Sequence, residues 1–362
     1  MTARLSRRAL NRTTLARQML LERSPRNTAE TMTHLVGMQA QNPHDPYYAL
    51  WARIEGFDPS ELSGMIERRE AVRGALMRAT LHLATTDDYL FLRSLLQPTL
   101  AAVLGSTPFA KDTADVDRDA LLSLGRSLLD ERAMTRAQLG PLLGASWPGV
   151  PPASLAQVVT YLVPVVQVPP RGLWGRSGPS AWTTLESWTG AGVPVDADPR
   201  QLVRRYLAAF GPASVSDIRV WSRLNGLREV VDRMRSELEV RSGEDGGELL
   251  DIPDGLIVDE DVPAPPRFLP EYDNVLLGHS DRSRFFADEI LPVGWAGNLL
   301  VDGLFSGWWK IGRNRNEANL EVHLLRKTPR AALKAVENEA VRLLELAHPD
   351  AGTRSIGVYS DD

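Results

Sequence analysis

Gln39 and Gln41 stand one residue apart in the stretch LVGMQAQNPHDPYYALW, residues 35–51. Glutamine does not titrate, but its amide carries an acceptor oxygen and an NH₂ donor. Two such groups can hold a water molecule beside a bond that is about to break. The alternative is a pair of amides on a helix surface. Spacing alone favours that alternative, because residues i and i+2 lie about 200° apart on a regular helix.

Other kinds of catalytic centre find little support in the composition. The chain has no cysteine, which excludes disulfides, cysteine-bound zinc, iron–sulfur clusters and thiol nucleophiles. The histidines show neither HExxH nor H-x-H spacing, so we expect no metal and no cofactor. Lysines, the usual Schiff-base nucleophiles, are few and lie far from the glutamines in sequence. They are Lys111, Lys310, Lys327 and Lys334.

The chain around the glutamines is predicted to be a helix that ends at the motif. Asn27 begins a capping-box pattern with Glu30 in the third position. Pro43 disfavours the helical conformation of the residue before it, so the helix should end near Gln41. Unwinding there would allow both amides to reach one water. Asp45 and Pro46 then predict a second helix start, with the helix running through roughly Ile54.

The same order of elements recurs farther along the chain. The periodicity predicts helices at 59–69, 117–131, 136–143 and 152–163, with strands at 71–85, 165–168 and 181–188. It then predicts helices at 199–210, 216–223 and 227–238, and a hairpin within 238–252. Three helices followed by a two-stranded ribbon are typical of a winged helix. We therefore predict three tandem winged-helix units, with a generic helical protein carrying two hairpins as the alternative.

The last hundred residues follow a different pattern. A Pro-rich connector, 262–273, precedes a hairpin at 298–312, a strand at 320–325 and a helix at 329–347. The predicted fold class is α+β, mainly α with β wings. The predicted domains are winged-helix units at 1–110, 111–195 and 196–261, and a small α+β domain at 262–362.

Charge is distributed unevenly along the chain. The formal net charge is −5, yet residues 1–30 carry seven arginines and two glutamates, and residues 244–261 carry eight acidic residues and no basic one. Local positive charge is what phosphate binding requires, although a solvated helix face and a solvated loop explain the same pattern. The N-terminal residues lack a signal-peptide core and no long apolar run occurs, so we expect a cytoplasmic, nucleoid-associated protein.

Several short motifs, in this order, resemble one known family. They are QAQNP at 39–43, LMRATLHL at 76–83, LWGR at 173–176, LPEYDNVLLGHSDRSR at 269–284 and VDGLFSGWWK at 301–310. Together they resemble the winged-helix DNA glycosylases of the HTH_42 superfamily, and most closely the azinomycin-resistance (AlkZ-type) branch with its Gln-x-Gln motif. A related branch has Gln-x-Asp instead, and Gln41 departs from that pattern.

The resemblance implies a concave DNA-binding surface and a catalytic pair, Gln39 and Gln41. It implies excision of N7-alkylated purines, including bulky adducts or interstrand crosslinks made by a natural-product alkylator, and hence self-resistance. The expected partner is damaged double-stranded DNA, bound by a monomer. A DNA-binding regulator without chemistry is the alternative; a symmetric dimer would suit it better than three fused units.

The chemistry of such a substrate makes two amides sufficient. An N7-alkylated guanine is already cationic, so its departure needs no general acid. Placement of a water and stabilisation of an oxocarbenium-like sugar remain.

Further residues are candidates for contact with DNA. Tyr47 offers a ring for stacking, or belongs to the core. Arg78 and His82 lie on the same face of the predicted strand, with Thr80 between them. Arg78 suits a phosphate contact, and His82 is equally explained as a buried imidazole. The arginines of two turns suit phosphate contacts, with solvated turns or a salt bridge to Asp281 as the alternatives. The full set is Arg12, Asn42, Tyr47, Arg78, His82, Arg171, Trp174, Arg176, Arg282 and Arg284.

Overall fold

The first repeat of the fold occupies residues 28–85. A computed structural model describes residues 4–287 and 294–360 of the chain. After an N-terminal helix, α1 (Arg7–Arg17), the elements are α2 (Thr28–Leu35), β1 (Met38–Gln39), α3 (Asp45–Trp51), α4 (Pro59–Glu67), β2 (Ala71–Ala75) and β3 (Leu81–Thr85). The short strand β1 pairs antiparallel with β3, the last strand of the repeat.

Helix α2 begins as predicted but ends early. Asn27 and Glu30 form the capping box. The prediction that the helix runs to Gln41 is wrong, because it ends at Leu35. Val36 takes the left-handed conformation and Gly37 has φ +89°, which terminates the helix in the way common for a C-terminal cap. Both glutamines therefore lie outside the helix: Gln39 is the last residue of β1, and Gln41 lies in the bend that follows it.

The second repeat shows the same order of elements. It follows α5 (Thr86–Gly105) and α6 (Pro108–Asp112), and comprises α7 (Arg118–Glu131), β4 (Met134–Thr135), α8 (Arg136–Gly144), α9 (Pro152–Leu162), β5 (Val165–Gln167) and β6 (Ala181–Thr184). Again the short strand pairs with the last one, β4 with β6. Helix α10 (Leu185–Thr189) replaces the second half of the strand that we predicted at 181–188.

The third repeat consists of α11 (Pro199–Phe210), α12 (Val215–Ser222), α13 (Leu227–Arg233), β7 (Glu239–Ser242) and β8 (Glu248–Asp251). A bridge between Ala213 and Leu250 takes the place of the short strand. The predicted sequence of helix, helix, helix and hairpin thus occurs three times in the described chain.

The hairpins of the first two repeats join into one sheet. Its six strands have the order β1-β3-β2-β5-β6-β4. The contact between the two hairpins is antiparallel and centres on Arg73 of β2 and Gln167 of β5. This arrangement places the extended glutamine segment at one edge of a sheet that both repeats build.

The C-terminal part folds around a five-stranded sheet. Its elements are β9 (Arg267–Leu269), α14 (Asn274–Leu277), β10 (Gly297–Val301), β11 (Leu304–Asn314), β12 (Glu317–Leu324), α15 (Arg330–Ala347) and β13 (Thr353–Ser360), in the sheet order β13-β12-β11-β10-β9. Helix α15 makes the crossover between the parallel strands β12 and β13. The predicted connector at 262–273 is therefore partly wrong, because it contains the edge strand β9.

The hydrophobic cores do not follow the predicted boundaries. One core combines residues of the first repeat, such as Leu50 and Trp51, with Phe268 and Trp309 of the C-terminal sheet. A second core joins Tyr89 of α5 to the third repeat. The second repeat has a core largely of its own. Consequently, the predicted border at residue 261 does not separate two independently packed bodies. None of the described helices is long and apolar enough to span a membrane.

A buried ion pair connects the first repeat to the C-terminal part. The Arg53 guanidinium donates two hydrogen bonds of 2.8 Å to the carboxylate oxygens of Asp273, and the two side chains are 1% and 3% exposed. Arg53 also donates to the Gln18 Oε1 atom at 3.3 Å. The ion pair is therefore bidentate and buried, and the Ala49 carbonyl oxygen accepts a further hydrogen bond from Arg53 at 3.0 Å.

Loss of one partner should be costly here. We predict that Arg53→Met lowers the free energy of unfolding by about 3–5 kcal/mol, because it leaves the Asp273 carboxylate buried and unpaired. Urea denaturation measures this difference. The matched control is Arg68→Met, whose ion pair with Glu70 is solvent-exposed and should contribute almost nothing. Equal effects of the two substitutions would contradict the prediction.

Candidate active site

Gln39 and Gln41 line one open cleft of about 600 Å³, which we call the glutamine cleft. Gln39 is only 7% exposed, whereas Gln41 is exposed to solvent. The side chain of Gln41 has no hydrogen-bond partner among the residues that the structure describes. The cleft lies along the joined hairpins of the first two repeats.

The backbone of the motif is held from both sides. The Ala40 amide donates to the Leu81 carbonyl oxygen at 2.7 Å. The Arg73 guanidinium donates to the Ala40 carbonyl oxygen at 2.6 and 2.9 Å and to the Gln41 carbonyl oxygen at 3.2 Å. Gln39 ends a strand and Gln41 lies in the bend after it, and both residues line the same cleft. The geometric objection to a Gln-x-Gln pair therefore disappears, although for a reason other than the predicted helix end.

The cleft is positively charged. Its ionisable side chains include three arginines, Arg73, Arg136 and Arg171, and none of its described lining residues is Asp, Glu or Lys. Burial, with a smaller effect of Arg171, lowers the pKa of Arg73 to about 10, so the guanidinium is still cationic at neutral pH. The aromatic side chains of Tyr161, Trp182 and Tyr272 complete the walls. Arginines and rings together suit a nucleic-acid backbone and bases.

A buried carboxyl lies behind this charged surface. Asp45 is 4% exposed, and burial, followed by the charge of Glu271, raises its pKa to about 8. It is thus mostly protonated at neutral pH and does not cancel the charge of Arg73. Among the described residues, no group of three or more His, Cys, Asp or Glu side chains could hold a metal ion.

Two of the predicted DNA-contact residues lie at the glutamine cleft. Arg171 lines it, and Arg78 donates a 2.5 Å hydrogen bond to the Oε1 atom of Gln39. Asn42 and Arg176 are exposed and remain candidates for DNA contact. The Asn42 side chain also accepts a hydrogen bond from the His44 amide.

The structure does not support DNA contact by Arg12 or Arg284. Arg12 is fully buried and binds Asp302 together with the carbonyl oxygens of Val262 and Asp302. Arg284 is 6% exposed and donates to the hydroxyl of Thr14 and the carbonyl of Pro212. Both arginines hold α1 against distant parts of the chain. From sequence alone, such buried arginines cannot be distinguished from exposed arginines elsewhere in the chain.

The aromatic candidates belong to the interior. Tyr47 is fully buried, and its hydroxyl donates to the Gly172 carbonyl at 2.7 Å, so it cannot stack on a base. Trp174 is half-buried and packs with its ring centroid 4.9 Å from that of Tyr47 and 5.6 Å from that of Tyr48. This cluster attaches the second hairpin to α3.

His82 and Arg282 also have structural roles. His82 is fully buried, and its Nδ1 atom lies 3.0 Å from the Thr80 carbonyl oxygen. Burial lowers its pKa to about 3, so the imidazole is neutral. This is the buried imidazole that the sequence analysis gave as the alternative to DNA contact. Arg282 donates to the Leu276 carbonyl and lies over the ring of Phe286.

Sequence reasoning missed Arg73, Arg136 and Tyr272. A signal was available for Arg73, since a single arginine interrupts the small, apolar strand AVRGA. Such an arginine needs a specific partner when the strand is central. Arg136 and Tyr272 come from distant segments, and only the folded chain brings them to the glutamines.

Comparison with known proteins identifies the family. The family model described as "DNA glycosylase AlkZ-like" matches residues 32–346. The chain belongs to the AlkZ-like DNA glycosylases. Among solved structures, the Streptomyces sahachiroi DNA glycosylase AlkZ matches with a TM-score of 0.71 at 21% identity, over 99% of this chain and 100% of that one. No curated protein matches the chain in a sequence search.

These matches confirm several predictions. The mixed α and β fold is that of AlkZ, and the protein is a DNA N-glycosylase that acts on DNA. The alternative of a regulator without chemistry finds no support in this family.

The neutral state of His82 has a measurable consequence. Its pKa is about 3 in the fold and 6.5 ordinarily, so below pH 6.5 the unfolded chain takes up a proton that the folded chain does not. Folding stability therefore falls as the pH drops from about 6.5 towards 3. We predict that His82 makes the wild type lose about 2 kcal/mol of folding free energy between pH 7 and pH 5. The substitution His82→Asn, which keeps a donor for Thr80, should abolish this part of the loss. Urea denaturation at both pH values tests this, and an unchanged difference would contradict it.

Proposed function

We propose that this AlkZ-like glycosylase hydrolyses the glycosidic bond of N7-alkylated purines in double-stranded DNA, with Gln39 and Gln41 positioning the attacking water. The observation that carries the proposal is the glutamine cleft itself. It brings both amides together beside three arginines, with no Asp, Glu or Lys among its described lining residues.

A cleft of this composition suits a substrate that is already activated. As the C1′–N9 bond breaks, its electron pair moves onto the cationic purine, which leaves as a neutral base. The water oxygen bonds to C1′, and the proton is lost to solvent. An amide is a weak base and no acid, so it can hold the water but cannot protonate an ordinary purine. Undamaged bases should therefore be spared.

The absence of a cleft lysine supports a monofunctional enzyme. A bifunctional glycosylase attacks C1′ with an amine and forms a Schiff base. None of the described residues that line the glutamine cleft offers such an amine. The arginines that line it are protonated at neutral pH and are not nucleophiles; Arg73 binds the motif backbone, and we assign phosphate binding to Arg136 and Arg171.

The open shape of the cleft favours bulky substrates. It has a volume of about 600 Å³ and is open to solvent, so a large N7 substituent can extend outward instead of filling an enclosed pocket. For this reason we include bulky adducts and interstrand crosslinks of a natural-product alkylator among the substrates, which would serve self-resistance and DNA repair. Because one chain already contains three such repeats, we propose that the enzyme binds one lesion as a monomer.

The central test is base release from a methylated duplex under single-turnover conditions. We predict that the wild type releases 7-methylguanine and that Gln39→Ala and Gln41→Ala each slow release by roughly 100-fold or more, because each removes an amide that positions the reacting groups. Duplex affinity should change little. The matched control is Gln201→Ala, which removes an exposed amide from α11.

Two results would overturn the proposal. One is DNA binding without base release at any enzyme concentration. The other is unaltered release by both glutamine variants. Borohydride treatment during the reaction should trap no protein–DNA adduct, and a trapped adduct would contradict the monofunctional mechanism.

A further inference from the structure

Arg78 lies where three parts of the chain meet. It belongs to a short 3₁₀ turn, Met77–Ala79, between β2 and β3. Its Nη1 atom donates to the Trp221 carbonyl oxygen of the third repeat at 3.1 Å. Its Nη2 atom donates to Gln39 Oε1 at 2.5 Å and to Asn274 Oδ1 of the C-terminal part at 2.9 Å. The guanidinium is thus directed inward, toward the motif, and not toward solvent.

The turn that carries Arg78 is strained. Arg78 has φ +56° and Ala79 has φ +57°, and both residues carry a Cβ atom that disfavours this left-handed region. Strained backbone persists where the surrounding structure holds it, and it is common at functional sites. Here the hydrogen bonds of the guanidinium hold the turn against Gln39, Trp221 and Asn274.

Arg78 decides which way the amide of Gln39 points. A guanidinium only donates hydrogen bonds, so the amide oxygen must face Arg78, and a flipped amide would place two donors against each other. The Nε2 atom of Gln39 has no hydrogen-bond partner among the described residues, and Gln39 lines the glutamine cleft. The NH₂ group is therefore the part of Gln39 available to a substrate.

We infer that Arg78 is a positioning residue that fixes Gln39 as a hydrogen-bond donor to the damaged nucleotide, so that Gln41 supplies the acceptor for the attacking water. This inference rests on the proposed function and refines it: Gln41 accepts the hydrogen bond from the water, and Gln39 contributes to positioning by holding the nucleotide that the water attacks. Gln41 suits the acceptor role because its side chain is exposed and unpartnered among the described residues. Arg78 itself, predicted above to contact DNA, acts through Gln39 instead.

Glutamate substitutions separate the donor from the acceptor. Gln39→Glu keeps an oxygen for Arg78 but has no N–H group, so single-turnover excision should be as slow as in Gln39→Ala. Gln41→Glu keeps an acceptor for water, so its excision should be faster than that of Gln41→Ala. Saturating enzyme removes any effect of the added charge on DNA affinity. Wild-type excision by Gln39→Glu would overturn the inference.

A double-mutant cycle tests whether Arg78 acts through Gln39. Arg78→Met should slow excision of 7-methylguanine roughly 10- to 100-fold in the wild-type background. It should have no further effect in Gln39→Ala, because the orienting partner has no amide left to orient. Arg78→Lys, which still donates to Oε1, should restore part of the rate. Independent, multiplying effects of Arg78→Met and Gln39→Ala would show a separate role and overturn the inference.

Controls distinguish this role from folding and from charge. Arg223→Met removes another arginine charge close to Arg78, at an exposed position, and should leave the rate unchanged. If Arg78→Met fails to fold, the glutamate comparison still decides, since it leaves Arg78 in place. A wild type that releases no base would contradict the proposed function, whereas an active wild type with an active Gln39→Glu variant would contradict only this inference.

Discussion

The Arg73 guanidinium fixes the shape of the segment on which the whole site depends. It binds the carbonyl oxygens of Ala40 and Gln41 from one side, while Leu81 accepts a hydrogen bond from the Ala40 amide on the other. A two-residue strand has little stability by itself, so these bonds are what keep the chain extended after α2 ends. A strand end followed by a bend, instead of a regular helix, allows both glutamines of the Gln-x-Gln spacing to line one cleft.

The groups around that segment come from the whole chain. Asn274, next to the buried Arg53–Asp273 ion pair, binds Arg78, and Trp221 of the third repeat binds the same guanidinium. The shared core between the first repeat and the C-terminal sheet explains why these contacts are stable. The C-terminal part is therefore a support for the site and not an appended domain.

Local patterns were sufficient to predict the recurring order of three helices and a hairpin, but not every element and not the long-range contacts. Helices with clear start signals were located within a residue or two, such as α8 after Thr135 and α11 after Asp198. By contrast, α5 carries an internal proline, Pro98, and weak periodicity, and β13 becomes a strand only by pairing with β12. Neither was predicted.

The site shows the same division. The glutamines were identified from their chemistry and a resemblance, whereas burial decided the roles of the basic residues. Arg12 and Arg284 resemble DNA-binding residues in sequence, yet both are buried and donate hydrogen bonds to distant segments of the chain. In sequence, Arg73 is a single charged residue within an otherwise small and apolar strand, yet it binds the backbone of the glutamine motif. Only tertiary contacts distinguish these cases, because the residue type is the same in all three.

The central claim is that two amides are sufficient because the substrate departs without an acid. It is tested most directly by comparing excision of 7-methylguanine, a cationic base, with excision of hypoxanthine, a neutral one, placed at the same position of the same duplex. The account predicts that 7-methylguanine is released in a single turnover at least roughly 100-fold faster than hypoxanthine, since none of the described residues that line the cleft is an Asp, Glu, His or Lys that could protonate the neutral base. Release of both bases at similar rates would contradict it.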